Sequence, residues 1–209
     1  MFRRQNYFKF FEFTNNQFNM TLYNTYKHSF RLFIQSESEW ELIKNKDINV
    51  KQLFANLILP LILLMSLCNF LGYRFFDNNP SQHFQMHLFS AISTFVFSIV
   101  SIFLSAFLVK QFAMYKDQKM RFRRAFVLIG FSYFPGLILN SIAFLFPIIN
   151  YLTIFSLYSF FILFKGITPM LNIPVDKKSG YFTFILIGLL SIYAVVGAFF
   201  IGTASLLGF

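Results

Sequence analysis

The chain has 209 residues, 56% of them hydrophobic, 22% aromatic and only 12% charged, with a formal net charge of +10 and a mean hydropathy of +0.59. A soluble domain carries about 25% charged residues. Here no Asp, Glu, Lys or Arg lies between Lys51 and Arg74, between Asp77 and Lys110, between Arg124 and Lys165, or after Lys178, which excludes a soluble enzyme, a nucleic-acid-binding domain and a disulfide scaffold.

In such a chain the basic residues report sidedness before they report nucleic acid. The single cysteine, Cys68, lies in an apolar run and reads as a small buried hydrophobe. Residues 1–50 are polar by comparison and form an N-terminal region; residues 51–209 form a membrane domain. No secretory signal is legible, because Lys9 and Glu12 interrupt the first stretch. Residues 1–19 look like an extension before a start at Met20.

From Met20, the residues Leu22, Tyr26, Phe30 and Phe33 recur at helical spacing with Lys27 and Arg31 on the flanks. That pattern predicts an amphipathic helix, lying in the membrane interface or packed on the rest of the protein. Ser38 and Glu41 have capping-box spacing and predict a short helix starting there. Trp40, the only tryptophan, stands just ahead of the first span. An indole in that position is expected to anchor in the headgroup layer.

A span needs about 20 apolar residues. The first is expected over residues 52–73, kinked by Pro60. The second lies within residues 88–109. Its Thr94, Ser98, Ser101 and Ser105 share one helix face, a packing face or a polar conduit. The block from Arg124 to Lys165 is too long for one helix, and Pro147 and Asn150 divide it into a third span (125–146) and a fourth (149–167) ending near Lys165. The fifth lies within residues 181–207, where Ala194, Ala198 and Gly202 form a small-residue packing row. With the N-terminus inside, all of the 18 Lys and Arg except Arg74 fall on the inner side. The expected fold is therefore all-α: five transmembrane helices, a cytoplasmic N-terminus and a preceding amphipathic helix.

No nucleophile–base pair, phosphate loop or metal set is visible, so the reading is non-enzymatic, with no cofactor. His83 and His87 are four apart, but two histidines are an incomplete metal site. Ser132, Gly136 and Asn140 share a face beside Pro135, which frees the carbonyl of Phe131. Ser132 or Asn140 is expected to satisfy that carbonyl, or the face lines a small-molecule pocket.

Phe131-Ser132-Tyr133-x-Pro135, then Pro147, Leu157-Tyr158, Lys165-Gly166-Ile167-x-Pro169-Met170-Leu171-x-x-Pro174-x-Asp176-Lys177 and Gly180-Tyr181 resemble the Yip family of Ypt/Rab-interacting membrane proteins. Glu39-Trp40-Glu41-x-Ile43, with Pro60 and Gly72 in the first span, is similar to its prokaryotic branch. The resemblance covers residues 20–205. It implies five helices, a cytoplasmic N-terminus and structural roles for Ser132, Tyr133, Pro135, Pro147, Tyr158, Gly166, Pro169 and Pro174. In eukaryotes it implies association with GTPases and with other members in traffic between endoplasmic reticulum and Golgi. The Asp-Leu-Tyr-Gly-Pro-like motif of those members is not found before the first span, where Leu59-Pro60-Leu61 lies inside it. That departure weakens the case for GTPase binding.

The expectation is a partner-binding or membrane-organising scaffold in the bacterial inner membrane, or alternatively in Golgi or endoplasmic reticulum. Its partners would be lipids, other membrane proteins or a second copy. The candidate contact residues are Lys116, Lys119, Arg121, Arg123, Arg124, Lys177 and Lys178 in the loops Lys110–Arg124 and Thr168–Gly180. The alternative is a small transporter or channel component.

Overall fold

The computed structural model describes residues 25–46, 48–77 and 83–206. The expected extension 1–19, the start at Met20 and Leu22 lie outside these residues. Among the described residues every regular element is helical. A helix α1 (25–34) and α2 (Ser36–Lys44) form an N-terminal arm. The bundle follows: α3 (Val50–Phe76), α4 (Phe84–Phe112), α5 (Gln118–Leu145), a 3-10 segment (Pro147–Leu157) running into α6 (Tyr158–Leu171), and α7 (Lys178–Leu206). Five stretches are long and apolar enough to cross a membrane: α3, α4, α5, Pro147–Leu171 and Val175–Leu206. The protein is an integral membrane protein.

Local chemistry explains where the helices start and stop. The Asn49 side chain caps α3 by accepting from the Lys51 N–H, and Asp117 caps α5 by accepting from the Lys119 N–H at 2.9 Å. Pro60 is housed by a widened π-turn over Phe54–Ile58, in which the Leu59 N–H reaches back to the Phe54 carbonyl. Such bulges are a known way to absorb a break in the ladder. Asn172 ends α6 in the left-handed region (φ 59°), with its N–H on the Thr168 carbonyl.

The third span, α5, is the axis of the bundle. It packs against α3, α4, α6 and the 3-10 segment, whereas α7 lies outside, against α4 and more weakly α6. Phe126, Phe131 and Phe134 of α5 are fully buried, as are Ile58 and Ile62 of α3 and Ile162 and Ile167 of α6. Close backbone approach sets the α3–α5 contact: a Cβ on Gly72 would lie 1.9 Å from the Phe144 carbonyl oxygen. In lipid no hydrophobic force separates helix from solvent, so such small-residue approaches supply the packing.

Several expectations change. The fourth span is α-helical only from Tyr158 and continues past Lys165 to Leu171, because Pro147 opens a 3-10 segment. That shortens the loop expected from Thr168. The arm's second helix begins at Ser36, and Ser38 donates to the Gln35 carbonyl, so the capping box does not form. Ala194, Ala198 and Gly202 are exposed, with nothing within 4 Å of a Cβ on Gly202 among the described residues, so the row is not a packing face among them. In α1, His28, Ser29 and Leu32 are buried and Tyr26 and Phe33 pack against the core as expected, while Phe30, expected on the same face, is exposed with its ring edge-on to Phe134, and Lys27 and Arg31 are exposed. Cys68 is buried, as expected.

Candidate functional site

Three places combine polar chemistry with defined geometry. The first is the arm and the basic end of the bundle. Trp40, expected as an interfacial anchor, is fully covered by protein: its indole N–H donates to the Ile162 carbonyl at 3.1 Å and its ring meets Phe131 edge-on. Gly166 makes the room, since a Cβ there would lie 2.6 Å from the indole. Phe33 stacks on Tyr158, whose hydroxyl donates to the Phe33 carbonyl at 2.8 Å. Lys165 reaches Glu37, and that hydrogen bond, with the lysine charge, holds the Glu37 carboxyl below the usual carboxylate range. Inside the arm, His28 contacts Glu39 through Nδ1 and Lys46 through Nε2. The arm is thus tied to α6 along its length.

The candidate cations divide into two groups. Arg124 donates to the Lys44 carbonyl at 2.6 Å, one of the orphan carbonyls at the end of α2, where a cation also complements the helix dipole. Arg121 donates through Nε to the Tyr115 carbonyl. Burial pushes the Tyr115 phenol up, opposed by the nearby Arg124 charge. These two arginines serve the fold. Arg123 is half-buried, and half-buried Lys178 lies 4.2 Å over the Phe164 ring. Lys116, Lys119 and Lys177 are exposed. A bond from the Met114 N–H to the Leu171 carbonyl joins their two loops at one end of the bundle.

The second place is a cavity of about 300 Å³ between α3, α4, α5 and α7, lined by Thr94, Ser98, Tyr133, Asn140 and Tyr193 among apolar neighbours. The hydroxyl face of α4 turns inward: Ser98, Ser101 and Ser105 are buried, and Tyr133 donates to Ser105 at 3.0 Å. Ser156 donates to Asn140, and the Gly136 N–H to Ser159. The Ser132 hydroxyl is buried without a partner among the described residues, so it does not satisfy the carbonyl freed by Pro135. Of the remaining motif residues, Pro169 is buried in the last turn of α6, and Pro174 precedes a 3-10 turn at Val175–Lys177.

The third place is the opposite end, where α3 stops at Asp77 and α4 starts after His83. One oxygen of Asp77 lies 2.8 Å from both His83 Nδ1 and His87 Nε2. Sequence reading found the two histidines and missed the aspartate, six positions before His83. The signal was the spacing Asp-x5-His-x3-His across a turn between two spans.

The Yip1 domain model matches residues 30–205. No curated protein and no solved structure matches the chain. The match takes in nearly all the helices described above, including Trp40, Gly166 and the prolines of the third and fourth spans, and the chain belongs to the Yip1 domain family.

Proposed function

We propose that this protein is a non-enzymatic scaffold that binds an acidic partner protein at its basic end, on the cytoplasmic side of a bacterial inner membrane. The observation that carries this reading is the division of the cations. Arg121 and Arg124 are engaged by backbone carbonyls, whereas Lys116, Lys119 and Lys177 are exposed in loops and a helix start brought together at one end. Lys and Arg concentrate on the cytoplasmic side of membrane proteins, and an exposed cationic cluster steers an oppositely charged partner. The solute-path reading has the cavity of about 300 Å³ on its side, but no lining residue there is charged.

Replacing Lys116, Lys119 and Lys177 together with Gln leaves every described tie of the fold in place. Proximity crosslinking from the native membrane should then lose a reproducible partner that the parent chain captures. The same partner captured equally by both chains, with unchanged topology, would sink the reading. A self-only result in the parent chain would also sink it.

A further inference from the structure

We infer that Asp77, His83 and His87 form a binding site for a divalent transition metal of the zinc class, at the end of the bundle opposite the basic loops. The inference is independent of the scaffold reading.

The donors come from two helix ends. Asp77 is the residue that terminates α3, and His83 and His87 stand one turn apart at the start of α4. Spacing of four puts both imidazoles on one helix face. The fold then brings the aspartate against them, with one donor atom from each of the three side chains within 4.8 Å of the other two. Zinc bonds of about 2.0–2.1 Å to nitrogen and oxygen set tetrahedral donors roughly 3.3 Å apart, so small side-chain rotations would close the set on an ion.

His87 is 3% exposed, and its second ring nitrogen, Nδ1, is buried with no hydrogen-bond partner among the described residues. Buried polar atoms are as a rule paired. The Tyr73 ring stacks on His87 at 5.7 Å and 13°, which fixes the imidazole plane as a ligand requires. All three donors line one cavity of about 420 Å³, with Ser90 and Pro147 among its other walls. Three protein ligands with space beside them leave a fourth coordination position for water or an exchangeable ligand, the pattern of open zinc sites. Two imidazoles and a carboxylate suit zinc and its neighbours. Calcium and magnesium prefer oxygen-only shells, and copper(I) prefers sulfur.

The test uses the full chain, purified without a histidine tag, stripped with chelator and placed in nanodiscs. Calorimetric titration with zinc should give one ion per chain. Cobalt(II) in its place should give the visible absorption of a low-symmetry four- or five-coordinate ion. His83→Ala should weaken zinc binding by more than about tenfold, as should Asp77→Asn. His83 is half exposed, so its loss should leave the metal-free melting temperature unchanged. This separates a lost ligand from a lost fold. Zinc affinity equal in the parent chain, His83→Ala and Asp77→Asn would overturn the site. So would a metal-free melting temperature that falls in His83→Ala together with binding.

Discussion

The third and fifth spans have almost the same length, 28 residues in α5 and 29 in α7, yet the apolar stretch of the third is 78% buried and that of the fifth 11%. The more buried helix is the less apolar one. In water the order would be reversed, because burial follows hydrophobicity. Lipid tails are as apolar as leucine, so position is decided by close packing and hydrogen bonds between helices. In α5, Tyr133 bonds to Ser105, Gly136 to Ser159, and Phe144 receives Gly72 of α3. In α7, Thr183, Ser191, Thr203 and Ser205 all donate to backbone carbonyls of their own helix three or four residues back. Tyr133 and Gly136 on α5 are joints between helices, whereas these four side chains on α7 are self-satisfied.

The largest expected effect comes from the arm that covers α5. Trp40→Ala should lower stability by about 3–5 kcal/mol, the range for removing a buried tryptophan, because it empties the space over Gly166 and removes the indole hydrogen bond to the Ile162 carbonyl. Unfolding by denaturing detergent, followed by circular dichroism, measures it. A loss under about 1 kcal/mol would mean that the arm does not belong to the cooperative bundle. Gly72→Ala comes next, at about 1–3 kcal/mol for overpacking, since the new methyl would meet backbone at 1.9 Å. The same change at Gly202 of α7 should be silent, and that pair tests the comparison directly. Tyr133→Phe should cost about 0.6 kcal/mol, the average for an interhelical hydrogen bond in a membrane.

Much of this contrast was not legible from the chain. The five spans were, because charge-free blocks of span length have no other home. Trp40 was misread because a tryptophan beside a span has the signature of an interfacial anchor. Only the fold brings Gly166, far along the chain, to its face. Ala194, Ala198 and Gly202 were misread for the converse reason: the spacing is that of a packing face, but no helix among the described residues stands opposite. Arg121 and Arg124 carry the same charge as Lys119, and nothing local says that backbone carbonyls engage the arginines. The Gly166 and Pro169 motif was legible as a pattern, and its physical content, a notch for the indole, appeared only with the arm in place.

A smaller effect distinguishes the arm from the bundle by pH. Lys165 holds the Glu37 carboxyl below its ordinary range, so the folded value lies below the unfolded one. The contribution is therefore full above the unfolded value and is lost as pH falls through the folded value. Glu37 is exposed, and the effect is accordingly slight. Trp40 is the only tryptophan, so its emission reports arm docking. On acidification past the carboxylate range the emission should shift further to the red in the parent chain than in Glu37→Gln. The difference between the two isolates the contribution of Glu37 from that of the other groups of the arm, His28 and Glu39 among them.

The smallest expected effect is the sharpest check on the outer helix. Ala198 lies on the exposed face of α7. If that face meets only lipid, Ala198→Leu exchanges one apolar surface for another and should change stability by no more than about 0.5 kcal/mol, the scale of an ordinary surface substitution. The added bulk matters only where a second helix approaches closely, because small residues in a membrane serve that approach. Measuring unfolding over a range of protein-to-lipid ratios separates the cases. A silent substitution at every ratio keeps α7 a lipid-facing wall. A loss that appears only at high protein density would place another chain against Ala194, Ala198 and Gly202, and the contrast between α5 and α7 would then hold for the single chain alone.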